Sequence, residues 1–333
     1  MSSMASMTRR ADDWLFAAAG PERLAMMRIL VGLFSLTYLA VRLRSFLALA
    51  DAPPSRFAPV GVLGLLDAPV PRGAVVAIVI GSVALGIAFL AGAWFRVSGP
   101  AFALSLLVAS TYRSSWNQLL HFENLMVLHV LIVGFAHSAD ALSLDARRHP
   151  PRAPDDRAYG WPVRLAGTVT VATYVLAGVA KLRIGGIGWM LGDTLRNHAA
   201  YSAARLELLG GTASPLAGPL VAHAWMFPPL AVATVIVELS APVALFGGRI
   251  RTVWVVSAWA MHLSIAALMY VVFPYPLLLV AFAPLYRLEH LPGRIRNAPG
   301  RLSPLLAGHR PRRPSPAASR PRPARSQGVA GRR

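Results

Sequence analysis

The chain has 333 residues, 55% of them hydrophobic and only 14% charged, with a mean hydropathy of +0.52. Soluble domains carry about 25% charge, so this composition excludes a water-soluble globular protein and points to an all-α, polytopic integral membrane protein. The absence of cysteine excludes disulfides, thiolate metal sites and cysteine nucleophiles. The net charge of +19 would fit a nucleic-acid partner if it were spread over a soluble domain, but eleven arginines and no acid follow Glu289.

Spans of roughly 20 apolar residues are needed to cross the hydrocarbon layer. An interfacial segment, residues 1–23, carries Trp14, Leu15 and Phe16 and is too polar to be a signal peptide. The transmembrane region is expected over 24–290. It opens with a span over 24–44, then a proline-rich loop over 45–72, and a tight hairpin joins spans over 73–94 and 97–112. A fourth span is expected over 119–137 and a fifth over 163–182. A long connection over 183–222 holds a short helix near 194–209, and spans follow over 223–246 and 252–273. Pro274 and Pro276 leave the last apolar piece, 277–286, as a partial span. That makes about seven or eight transmembrane helices with no soluble domain. Residues 291–333 read as a disordered Arg/Pro-rich tail.

Basic residues concentrate on one side of this arrangement, at Arg9, Arg10, Arg23, Arg96, 147–164, Arg249, Arg251 and the tail. That asymmetry places both termini in the cytoplasm and the protein in the cytoplasmic (inner) membrane. Membrane lipid is the expected partner of the tail. No specific nucleic-acid binding is expected, because no aromatic residue is interleaved with the arginines after Tyr286.

Lys181 is the only lysine among 33 basic residues. Arginine cannot be deprotonated in a protein, whereas a buried lysine can lose its proton. Lys181 therefore reads either as a base or as a helix-end side chain snorkelling to the interface. Other ionisable groups lie where a bilayer makes charge expensive: His121, Glu123 and His129 on the fourth span, Glu238 on the sixth, His262 on the seventh. A carboxylate at Glu238 would seek a cation, and Lys181 is the obvious one, either in a site or as a structural pair between helices. A mid-span histidine such as His262 is more often a packing residue than a ligand. The eight-residue spacing of His121 and His129 would allow bis-imidazole haem ligation, which nothing else in the chain supports. Asp193 and His198 lack metal-ligand spacing, and no metal is expected.

Tyr174-x-x-Ala177-Gly178-x-x-Lys181-Leu182, followed by Trp189 and Gly192, resembles a segment of the vitamin K-dependent gamma-carboxylases and of their bacterial relatives, the horizontally transferred transmembrane (HTTM) domain family. Arg28 to Gly32, Pro59 to Leu63, Trp116-Asn117 with His121, Glu238 to Ala241, His262, and Phe273 to Tyr275 fall in the same order. The resemblance implies a quinol oxygenase chemistry in which Lys181 is the catalytic base and His121 a stabiliser. A reduced quinone (vitamin K hydroquinone or a menaquinol-like quinol) and O2 would give an epoxide and a strong alkoxide base. That base would remove a glutamyl γ-proton before CO2 adds. Glu238, His262, Trp189, Asp193, Glu123 and Tyr174 would support the site or bind substrate. The large lumenal domain of the carboxylases has no counterpart here, so carboxylation is expected to need another substrate or a separate soluble partner. The alternative is a non-catalytic lipid- or quinone-binding module, or a small transporter, built on the same scaffold.

Overall fold

A computed structural model describes residues 9, 10, 12–116, 123–148 and 157–290. Among them every regular element is a helix and no strand occurs. We number the principal helices α1 (Pro21–Val41), α2 (Arg72–Ala91), α3 (Phe95–Ser114), α4 (Asn124–Gly134), α5 (Arg157–Gly185), α6 (Thr194–Leu208), α7 (Phe227–Leu239) and α8 (Gly248–Met269).

Four of these, α1, α2, α5 and α8, are long and apolar enough to cross a membrane. Their outer faces remain apolar: Ile80 and Ile87 on α2, Leu176 on α5, and Val253 and Val256 on α8 are about half exposed or more. In water such all-round apolar helices would associate further, whereas lipid tails solvate them as they stand. The chain is a membrane protein on these grounds.

The interior has two parts. One joins α1 to α4 with the first half of α5 and part of the 275–288 segment. The other joins the middle of α5 with 241–246, α8 and residues 282 and 285. In the first part, α2 ends at Gly92 (φ 63°), a left-handed position that suits glycine, and the chain reverses within three residues into α3. Asp145 secures that hairpin by accepting the backbone N–H groups of Trp94 (3.0 Å) and Phe95 (2.7 Å). The first turn of α3 is thereby capped, and the helix covers 95–114 rather than the expected 97–112. Helices α3 and α4 meet at Gly99 and Gly134, where an added Cβ would lie 2.5 and 2.7 Å from the opposing carbonyl. Small residues at a membrane helix crossing permit this contact.

Several expected spans are not single helices. The stretch 223–246 forms α7 and then a 3-10 segment, Ala241–Phe246. Pro242 supplies no N–H to continue the α-helical ladder. The fourth span appears as the eleven-residue α4, and its expected start, including His121, lies outside the described residues. The last apolar stretch is a single turn, Pro274–Leu277, a left-handed Leu279 (φ 62°) and a 3-10 piece, Val280–Leu285. Conversely, α5 runs 29 residues, beyond both ends of the expected fifth span. The short helix in the long connection lies at Thr194–Leu208, close to its expected place. After Leu285 the chain returns to the start of α1, where an Arg23 Nη2 donates to the Pro284 carbonyl at 3.4 Å. The expected tail, 291–333, lies outside the described residues.

Candidate functional site

Tyr174, Gly178 and Lys181 occupy positions i, i+4 and i+7 of α5, and so share one face. That face meets α7. A Cβ on Gly178 would lie 2.8 Å from Leu239 Cδ2 and 3.1 Å from Glu238 Cβ, so the two helices approach closely only because position 178 is glycine. One turn further along α5, Lys181 Nζ donates to Glu238 Oε1 at 2.5 Å. The lysine side chain is 25% exposed and the carboxylate 6%. Glu238 Oε2 is buried with no hydrogen-bond partner among the described residues.

Two tryptophans frame this pair. After Gly185 the chain turns through Gly186 (φ 57°) into a short helix, Gly188–Leu191. This turn sets the Trp189 ring with its centroid 5.3 Å from Lys181 Nζ, within cation–π range. From α8, Trp254 Nε1 donates to the Val237 carbonyl at 2.8 Å, tying α8 to the residue before Glu238.

Deeper on the same face of α5, the Tyr174 hydroxyl lies 2.9 Å from His262 Nε2. Trp254 packs edge-on against the Tyr174 ring, and Phe273 lies against the His262 imidazole at 5.0 Å between centroids. His262 Nδ1 is buried without a hydrogen-bond partner among the described residues. The two pairs belong to one electrostatic neighbourhood, in which Lys181 acts on His262 and Glu238 on Tyr174. Helices α5, α7 and α8 and the short helix Gly188–Leu191 thus bring Tyr174, Lys181, Trp189, Glu238 and His262 together. The cluster offers an amine, a carboxylate, a phenol and an imidazole, with two buried polar atoms still able to accept or donate a hydrogen bond. Those groups suffice for proton transfer to and from a small polar head of an apolar molecule.

The other residues singled out from the sequence lie elsewhere. Glu123, just before α4, pairs with Arg113 of α3, and Arg113 also donates to the Tyr38 hydroxyl of α1 at 2.6 Å. Asp193 is 60% exposed and pairs with Arg196 one turn on, at 3.5 Å. His121 lies outside the described residues. His129 has both ring nitrogens engaged: Nδ1 is 2.7 Å from the Tyr275 hydroxyl, and Nε2 is 3.1 Å from the Ala166 carbonyl. Its role is to lock α4 to α5 and to the broken last segment, and it presents no nitrogen for a haem iron.

Sequence reasoning missed Trp254 at this site and, elsewhere in the fold, the partners of Glu123 and His129, which are Arg113 and Tyr275. Trp254 carried one usable signal, since an indole N–H on an apolar membrane helix needs a partner when buried. Arg113 carried another, as a cation at a span end ten residues before a buried carboxylate. Tyr275 stood out only within the Phe273–Tyr275 stretch, and nothing there names His129, 146 positions away, as its partner. Among the described residues no group of three or more His, Asp or Glu side chains is arranged to hold a metal ion.

The family model of the HTTM domain covers residues 16–288. No curated protein and no solved structure matches the chain.

Proposed function

The chain belongs to the HTTM domain family, and from that premise we propose that it is a vitamin K-dependent carboxylase-like membrane enzyme with Lys181 as its base. The observation that carries this reading is the Lys181–Glu238 contact, where the one lysine of the chain meets a nearly buried carboxylate at 2.5 Å. A lysine can act as a base only after losing its proton. Glu238 Oε1 is positioned to take that proton, and the transfer would leave two neutral groups in place of two partly desolvated charges. Arginine could not serve in this way.

The substrate proposed is a reduced quinone. Its apolar body suits a site among membrane helices, and its hydroxyls suit the two unpartnered buried atoms, Glu238 Oε2 and His262 Nδ1. Lys181 would remove a hydroxyl proton, and the overall change would be quinol plus O2 to quinone epoxide plus water. Tyr174 would hold the imidazole of His262 by its hydroxyl, and Trp189 would shield the amine from water. His121 is proposed as the stabiliser on resemblance alone. Coupling of the oxygenation to proton abstraction and CO2 addition on a further substrate is part of the same proposal. So is a path of about eight membrane passes with both ends cytoplasmic, supported by the return of residues 284–289 to the start of α1.

The closeness of the ion pair also favours a second reading. A 2.5 Å contact that joins α5 to α7 could simply fix two helices in a lipid- or quinone-binding module. Quinol-dependent oxygen uptake by the purified protein separates the two. The enzyme reading expects uptake that is lost in Lys181→Arg while the variant melts within a few degrees of the parent. The structural reading expects no uptake from either protein.

A further inference from the structure

At the end of the molecule where α1 begins, four arginines from four segments converge. Arg23 lies in the first turn of α1, Arg164 two turns into α5, Arg251 in the first turn of α8, and Arg287 between the 3-10 segments Val280–Leu285 and Leu288–His290. Arg23 and Arg251 both contact residues 284–289, where Arg287 also lies, while Arg164 donates to the Ala17 carbonyl and Arg251 Nε to the Ala244 carbonyl. Arg23 reaches the Pro284 carbonyl and lies 3.9 Å from Glu289, while the Arg251 guanidinium stacks 5.7 Å from the Tyr286 ring centroid. Arg164, Arg251 and Arg287 all act electrostatically on Arg23, and Arg287 also acts on Arg251. Glu289 is the one carboxylate found acting on Arg23, so the cluster keeps an excess of about three positive charges that arginine cannot shed.

The cluster's hydrogen bonding is incomplete. Arg23 Nε, on a side chain only 17% exposed, faces Glu289 Oε2 at 3.9 Å, too far for a hydrogen bond, and neither atom has another partner among the described residues. The N-termini of α1 and α8 lie at the same end and add their positive dipole ends to it. One carboxylate facing four mutually repelling cations leaves a charge excess that a further anion would balance. The cluster's depth in the membrane and its surroundings indicate where that anion comes from. The first turns of two membrane helices sit at headgroup level, and Phe246, Ile250 and Val253 beside Arg251 are 83%, 50% and 65% exposed. That apolar strip is the surface an acyl chain would follow, and free phosphate would gain nothing from it.

We propose that this cluster is a binding site for the phosphate of an anionic phospholipid, whose chains lie along Phe246, Ile250 and Val253. Guanidinium groups bind phosphate oxygens bidentately, and basic pockets between membrane helices recognise acidic lipid headgroups in this way. The site is separate from the Lys181 cluster and does not depend on its chemistry.

Native mass spectrometry of the full chain in neutral detergent tests the assignment, with dioleoyl phosphatidylglycerol, dioleoyl phosphatidylcholine and inorganic phosphate as probes. The expected result is at least ten-fold tighter binding of phosphatidylglycerol than of phosphatidylcholine, with inorganic phosphate failing to compete at matched ionic strength. Each arginine removed should weaken phosphatidylglycerol binding by about five-fold. Arg287→Gln provides the arm least able to disturb folding, because Arg287 is exposed, and the Arg164→Gln/Arg251→Gln pair provides the larger loss. Equal binding of the two lipids, or an Arg287→Gln protein that keeps the parent's preference, overturns the site. Full displacement of phosphatidylglycerol by inorganic phosphate overturns the lipid as its occupant.

Discussion

Lys181 Nζ and Glu238 Oε1 lie 2.5 Å apart although 57 positions separate the two residues in the chain. Removing one member of such a pair strands the other, and for well-buried pairs this costs about 3–5 kcal/mol. With the lysine a quarter exposed, we expect Lys181→Met to destabilise by about 2 kcal/mol. The double variant Lys181→Met/Glu238→Leu should recover most of that loss. Thermal unfolding in detergent checks both, and an additive double variant would contradict the pairing.

Gly178 sets the distance between the helices that carry the pair. Gly178→Ala should push the α5 backbone off Leu239 and Glu238, at about 1–3 kcal/mol for overpacking. If the pair is catalytic, the variant should also lose turnover out of proportion to its loss of stability. Oxygen uptake per folded molecule, normalised by the melting amplitude, measures this.

Tyr174→Phe removes the hydroxyl from His262 Nε2 and leaves that imidazole with two unsatisfied nitrogens. We expect a loss of about 1–2 kcal/mol. The KM for a quinol should rise if His262 Nδ1 meets the substrate, because the ring would no longer be held. An unchanged KM would remove His262 from the site.

Glu123 belongs with Arg113 and Tyr38, where it joins the ends of α1 and α3 to the start of α4. Glu123→Gln should therefore lower stability, by about 2–3 kcal/mol for a charge left unpaired in the interior. Turnover per folded molecule should be unchanged. A selective loss of turnover would return Glu123 to the reaction.

Much of this site was legible in the sequence, and the reasons are local. Tyr174, Gly178 and Lys181 declare a shared face by their spacing alone, and a carboxylate at Glu238 within an apolar helix has few cations to choose from. The pairing of Tyr174 with His262 was not legible, because it needs α5 and α8 to be adjacent and nothing in either helix fixes that. Glu123 was drawn towards the site for want of its true partner, since a membrane-end arginine such as Arg113 reads as a snorkelling side chain. The extent of some spans was less legible, for a different reason. Apolar composition fits 223–246 to lipid, yet it cannot distinguish one α-helix from a helix followed by a 3-10 segment at Pro242, whereas 277–286 was already expected to be partial.

The most direct test of the central claim is the product. Purified protein supplied with menaquinol or vitamin K hydroquinone under 18O2 should yield quinone epoxide carrying one 18O atom, and Lys181→Arg should yield none while remaining folded. Well-folded parent protein that forms no labelled epoxide from any quinol offered would contradict Lys181 as a base and leave the Lys181–Glu238 pair as a strut between α5 and α7.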